Sequence, residues 1–191
     1  MKKILVVVDM QNDFIDGVLG SAEAQAIVPN VVEKLKNINK AETLVLFTKD
    51  THYNDYADTL EGKMLPVAHC IENTSGWGIN KEISKVVDDG EGYMHYSSET
   101  IINSRVYKST FGADALQDFL WEHQNVIEEV EFCGVCTDIC VVSNALMARQ
   151  TLPNTKIVVD ASCCAGVTPE KHLAALEVMK SCQIEVVNEQ E

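Results

Sequence analysis

The chain alternates short, unbroken apolar runs with longer segments whose apolar residues recur at helical spacing. Ile4-Leu5-Val6-Val7-Val8 is β-branched and continuous, and reads as a strand buried on both faces. Ile27, Val28, Val31, Val32, Leu35 and Ile38 then fall on one helical stripe. Pro29 is expected in the first turn of that helix, where its missing N–H is tolerated. Thr43 to Phe47 is the second strand, residues 101–107 the third, and Ala113 to His123 a helix. A fourth strand is expected over about Val126 to Phe132, followed by a helix over Thr137 to Gln150 with Ile139, Val142, Leu146 and Met147 on its apolar side. Lys156 to Val159 is the fifth strand. Pro169 to Ser181 is a helix, with Thr168 as N-cap and Pro169 in the first position, and Ile184 to Val187 closes the sheet. Six strands alternating with helices predict parallel pairing and right-handed crossovers. The expected fold is a three-layer α/β/α sandwich on a six-stranded, mostly parallel sheet.

The 191 residues suit one domain, 1–191, able to bury a core without disulfides or metals as staples. No repeat or low-complexity tract interrupts it. The exception to the periodicity is Lys49 to about Gly78, which nonetheless carries His52, His69, Trp77 and several carboxylates. Long loops inside compact domains are functional or disordered, and the aromatic and histidine content here favours order.

Charge narrows the partners. The net charge is −14, Arg105 and Arg149 are the only arginines, and the lysines are scattered, so a phosphate-binding surface for nucleic acid is excluded. Acidic stretches such as Asp88-Asp89 and Glu128-Glu129 read as solvated faces. No apolar run approaches the roughly 18 to 20 residues of a membrane span. The five apolar residues after Met1-Lys2-Lys3 are too few for a signal-peptide core, so a cytoplasmic location is expected. Seven cysteines, an odd number, then imply reduced thiols: buried small apolar side chains, with a reactive one among the candidates.

In open α/β sheets, ligands gather beyond the carboxyl ends of the strands. The first strand ends in Asp9, the second delivers Lys49, Asp50 and His52, and the third Tyr107 and Lys108. The fourth delivers Cys133-Gly134-Val135-Cys136-Thr137-Asp138-Ile139-Cys140, running into a helix. Alone, Asp9 reads equally as a turn cap, Lys108 as a surface lysine and Cys140 as a buried helix cysteine. Together on one edge they suggest chemistry. A thiol near a helix N-terminus and an ammonium is expected to have a lowered pKa. A carboxylate in reach accepts the thiol proton and returns it to a leaving amine. Gly134 allows a sharp turn that aims backbone amides at a developing oxyanion.

These residues resemble the isochorismatase-like cysteine hydrolase superfamily, and nicotinamidases within it. The matching motifs are Val8-Asp9-Met10-Gln11-Asn12-Asp13-Phe14, Tyr107-Lys108-Ser109-Thr110-Phe111 and Gly134-Val135-Cys136-Thr137-Asp138-Ile139-Cys140-Val141, in that order along essentially the whole chain. The resemblance implies that Cys140 attacks an amide carbonyl, that Asp9 serves as base and then acid, and that Lys108 stabilises the thiolate and orients Asp9. It implies a cis peptide before Cys136, with the amides of Cys136 and Cys140 as oxyanion hole. It further implies a divalent metal, zinc, iron or manganese, on Asp50, His52, Glu61 and His69, and no organic cofactor. Such a metal would position a substrate ring rather than activate the nucleophile. Asp55 and Asp58 compete with Glu61 for the carboxylate position. Phe14, Trp77 and Phe111 are candidates to wall an aromatic ring, or else core packing. The implied substrate is a small amide and the implied assembly a homo-oligomer.

Two rival readings stand beside this one. A metal-free amidase or ureide hydrolase of the same superfamily keeps Asp9, Lys108 and Cys140 and leaves His52 and His69 structural. A redox or metal-binding protein would instead use Cys133-x-x-Cys136, though Cys133 belongs to a strand end, where thioredoxin-like pairs open a helix directly. An inert binding protein on the same fold is disfavoured by the filled catalytic positions.

Overall fold

The run that reads as a doubly buried strand is the centre of the sheet. In a computed structural model describing residues 2–86, 101–102 and 104–189, β1 (Lys3–Val8) pairs in parallel with β2 (Thr43–Asp50) on one side and β5 (Glu129–Val135) on the other. Beyond β2 lie β4 (Arg105–Lys108) and β3 (Ile101–Ile102); beyond β5 lie β6 (Lys156–Ala165) and β7 (Glu185–Val187). The order β3-β4-β2-β1-β5-β6-β7 is parallel except for β3, which pairs antiparallel with β4. Helix α2 (Ala22–Asn37) packs on β5 and β6 and touches α1 (Asn12–Ile15) and α4 (Lys81–Ser84). Helices α5 (Asp114–Glu122), α6 (Val142–Thr151) and α7 (Pro169–Ser181) pack on one another and on β4, β6 and β7. The result is a three-layer α/β/α sandwich.

Five expectations need correction, one being that the fifth strand, expected over Lys156 to Val159, runs on to Ala165. Residues 101–107 do not form one strand: Ser104 takes φ +62, a left-handed conformation that separates β3 from β4. Pro29 is not in the first turn of its helix. Ser21 caps the helix by accepting from the Ala24 N–H at 3.0 Å, so Pro29 lies in the interior and removes one hydrogen bond, while buried Ala24, Ile27, Val31 and Leu35 hold the helix down. The fourth strand starts later and runs further, because Glu129 and Glu131 fit inside it: Lys3 meets Glu129 at 3.1 Å and Lys34 meets Glu131 at 2.6 Å. The helix expected from Thr137 opens as a wide π-helical turn, Thr137–Val141, before α6. The acidic pair Asp88-Asp89 lies outside the described residues. Among the described residues, no helix is long and apolar enough to cross a membrane.

Candidate active site

The strand order brings the reactive residues together. β4, β2, β1 and β5 are neighbours, so Lys108, Asp50, Asp9 and the turn after β5 stand side by side at their carboxyl ends, with Asp50 in register with Lys108. Gly134, at φ +119, lies so close to β1 that a Cβ would run into the Val8 carbonyl oxygen. The Val135–Cys136 peptide that follows is cis. The chain then enters the π-helical turn that holds Cys140, which is buried.

Asp9 is fully buried; its Oδ1 accepts from Thr48 Oγ1 at 2.6 Å. Its Oδ2 lies 2.7 Å from Lys108 Nζ, an ion pair between two buried groups. Lys108 Nζ also donates to the Thr110 carbonyl at 3.0 Å and to Asp50 Oδ1 at 3.3 Å, and stands 3.6 Å from Cys140 Sγ. One ammonium thus touches both carboxylates and the thiol.

Burial decides the protonation states. It pushes the Asp9 carboxyl up, with Lys108 opposing and Asp50 adding to the rise. It would lower Lys108, but the charges of Asp9 and Asp50 and the hydrogen bond to Asp9 outweigh it and hold the ammonium charged. The Cys140 thiol was expected to be lowered; instead, burial and then Asp9 push it well above the ordinary thiol range, against Lys108. The site at rest is a protonated thiol beside a carboxylate of raised basicity.

Asp50 turns its other oxygen to the histidines. Oδ2 lies 3.1 Å from His52 Nε2 and 3.4 Å from His69 Nε2, while Glu61 Oε1 lies 3.7 and 3.8 Å from the same nitrogens. Burial raises Asp50, but the hydrogen bonds from His52 and His69 and the charge of Lys108 outweigh it and hold the carboxyl below the usual range. One ligand atom from each of Asp50, His52, Glu61 and His69 lies within 4.8 Å of the others. Donors about 2.1 Å from one ion sit at most about 4.2 Å apart, so a group this compact fits a divalent cation in chemistry and, with small adjustment, in spacing. The Val67 carbonyl accepts from His69 Nδ1 at 2.8 Å and so turns Nε2 toward Asp50 and Glu61. Asp55 and Asp58 are not part of the group.

A cavity of about 480 Å³ is lined by Asp50, Glu61 and His69 together with Cys136 and Cys140. Phe14 and Phe111 line it; Trp77 does not. The Trp77 ring stacks on Tyr107 with Lys49 Nζ 2.9 Å from its centroid, and its Nε1 donates to Thr51 Oγ1 at 2.9 Å. That position follows from strand alternation, since Lys49 and Tyr107 point away from the face that Asp50 and Lys108 serve. Cys133 and Cys136 are free thiols, Cys133 fully buried in the core and Cys136 pushed by burial up to about 12, which suits packing rather than redox exchange.

Three supporting residues were not foreseen. Gln11 clamps the Asp50 backbone, accepting from its N–H at 2.7 Å and donating to its carbonyl at 2.9 Å. Thr48 orients Asp9. Asn144 donates to the Cys140 carbonyl at 2.7 Å and accepts from the Ala113 N–H at 3.0 Å, tying the Cys140 turn to the start of α5. The available signal was a polar residue within or just past an apolar run, which Thr48 and Gln11 both show.

The sequence pattern of the isochorismatase domain matches residues 3–191. The nicotinamidase of Schizosaccharomyces pombe is 28% identical over 212 residues, covering 98% of this chain and 93% of that protein. The nicotinamidase/pyrazinamidase of Mycobacterium tuberculosis is 26% identical over 194 residues, covering 97% and 98%. Among solved structures, the nicotinamidase/pyrazinamidase of Bacillus subtilis superposes with a TM-score of 0.80 at 28% identity, covering 97% of this chain and 99% of that one. The pyrazinamidase of Pyrococcus horikoshii in complex with zinc superposes with a TM-score of 0.73 at 26% identity, covering 98% and 99%.

Proposed function

Because this chain belongs to the isochorismatase family, we propose that it is a cysteine-dependent amide hydrolase whose substrate is nicotinamide, released as nicotinate and ammonia. The observation that carries the reading is the meeting of Asp9, Lys108 and Cys140 with a four-donor cluster around one partly apolar cavity. Full-length likeness to nicotinamidases supports it.

Each group has a role that its surroundings allow. Cys140 Sγ attacks the carboxamide carbon while its proton passes to Asp9, whose burial makes it a better acceptor than an exposed carboxylate. Lys108, in contact with both, faces whichever of the two carries the negative charge as the proton moves. The oxyanion is received by the Cys136 and Cys140 amides. Collapse breaks the carbon–nitrogen bond, Asp9 returns the proton to the amine, and ammonia leaves a Cys140 thioester. Water then gives its proton to Asp9, adds to the thioester and frees nicotinate, and Cys140 recovers its proton. Phe14 and Phe111 wall the ring.

Asp50, His52, Glu61 and His69 would hold a divalent cation, zinc, iron or manganese, that supplies a Lewis-acid anchor for a donor atom such as the ring nitrogen. A zinc-complexed relative supports this assignment. We further assign the enzyme to NAD salvage and to a homo-oligomeric state on the superfamily resemblance, and to the cytoplasm on the sequence reading above.

The test is ammonia release from nicotinamide by zinc- or manganese-loaded protein, with Cys140→Ala alongside. Release lost in the variant is expected. Release that survives it would overturn the thioester route. No release by the loaded wild type would overturn nicotinamide as substrate and move the search to ureides and other small amides.

A further inference from the structure

We infer that Tyr56 is a positioning residue for the cation cluster, holding Glu61 in place by tying its helix to the two imidazoles; the inference rests on the metal reading above. Glu61 sits on α3 (Leu60–Met64), a five-residue helix. A helix so short does not hold itself together in water. Nor does burial anchor it: Leu60 and Met64 are 78% and 81% exposed, and only Gly62 is buried. Something else must fix the carboxylate that faces His52 and His69.

Both ends of α3 are tied to Tyr56. At the N-terminal end, the Tyr56 carbonyl accepts from the Thr59 N–H at 3.0 Å and from Thr59 Oγ1 at 2.7 Å. Thr59 Oγ1 in turn accepts from the Gly62 N–H at 2.9 Å and caps the helix. At the C-terminal end, Tyr56 Oη donates to the Leu65 carbonyl at 2.9 Å. Gly62 passes so close to the Tyr56 carbonyl oxygen that a Cβ would collide with it.

The same residue braces the histidines. Tyr56 is 3% exposed, and its ring meets His52 edge-on at 4.8 Å and His69 edge-on at 5.2 Å. The imidazoles themselves meet at 4.9 Å. Three rings therefore form one mutually edge-on triangle, in an arrangement that aromatic quadrupoles favour. The bond that satisfies the buried Tyr56 hydroxyl is made to the far end of α3, so the ring and the helix are held as one unit. Tyr56 thus connects the exposed helix that carries Glu61 to the buried His52 and His69.

The experiment measures zinc affinity by chelator competition on metal-stripped full-length protein. It compares wild type, Tyr56→Phe, Glu61→Gln and the double variant. Phenylalanine keeps the ring triangle and removes only the tie to Leu65. Tyr56→Phe is expected to weaken zinc binding about 10-fold, at the lower end for residues that orient ligands. Because it acts through Glu61, the double variant should match Glu61→Gln to about twofold. Thr59→Val, which removes the hydroxyl bonds to the Tyr56 carbonyl and the Gly62 N–H at the other end, should couple to Glu61→Gln in the same way and stands in if Tyr56→Phe does not fold. Effects that multiply, as for independent structural damage, would overturn the assignment, as would an unmoved Tyr56→Phe constant beside tight wild-type binding. Failure of the wild type to bind zinc would overturn the metal reading and this one with it.

Discussion

Lys108 is where the chemistry of the site is decided, because its one charge meets Asp9, Asp50 and Cys140 together. The thiol stays protonated beside it, since burial and two nearby carboxylates outweigh a single ammonium. The proposed route therefore depends on Asp9 as a base. Asp9→Asn is expected to lower kcat by about 10²- to 10⁴-fold, the usual worth of general base catalysis, with the fold intact by circular dichroism. The wild-type pH profile should agree. Because the Asp9 value is raised, kcat/KM should fall on the acid side at a pH above the ordinary carboxylate range, as the base becomes protonated. Near-normal turnover in Asp9→Asn, or an acid limb below pH about 4, would retire Asp9 from the role. Asp9, Lys108 and Cys140 were legible in the sequence because each follows a strand end. Thr48, Gln11, Asn144 and Tyr56 were not, since a buried hydroxyl or amide gains its meaning only from the atom it faces. The raised thiol was likewise out of reach: helix and ammonium are visible in sequence, the depth of burial is not.

Elements were legible where apolar pattern alone sets them, as in β1 and in α7 with its Thr168 cap. They were misplaced where charge enters the interior. β5 carries Glu129 and Glu131, and β6 continues through Asp160, because lysines from other elements meet them; Lys34 on α2 reaches Glu131 at 2.6 Å and Asp160 at 2.7 Å. That bridge pins α2 to the sheet past Pro29. Asp160 is held below its ordinary value by Lys34 and Ser162 hydrogen bonds that outweigh burial. Removing it leaves Lys34 half-buried with one partner. Asp160→Asn is expected to cost about 2–3 kcal/mol at pH 7 in urea unfolding, below the roughly 3–5 of a fully buried pair, because Lys34 keeps Glu131. A lowered carboxyl contributes stability above its unfolded value of about 3.9 and loses it as pH falls through the folded value. The gap between wild type and variant should therefore be full at neutral pH and narrow below about pH 4. A gap independent of pH would mean that packing, not the ion pair, holds α2.

At the scale of the molecule, topology does what no single motif shows. The α/β/α class could be read from alternation, and the convergence of acid, lysine and thiol from the rule that ligands gather at strand ends. The order β4-β2-β1-β5 could not, and it is this order that sets Asp50 between Lys108 and the histidines. The same order concentrates negative charge in a chain of net charge −14: Asp9, Asp50 and Glu61 are drawn together, and Lys108 pairs with the first two of them. A divalent cation on the four donors would relieve that excess, and being bound by the folded state alone it would stabilise the fold by mass action. At about a thousandfold excess over Kd, the gain is about 4 kcal/mol. For a chain of this size, that corresponds to a rise in Tm of about 8–16 °C. Stripping with a chelator should lower Tm by that amount and re-addition of zinc restore it, while His52→Ala, which removes one donor, should flatten the response. An unchanged Tm in the wild type would show that the four donors bind no cation in the folded state, and would favour a metal-free amidase using the same cysteine.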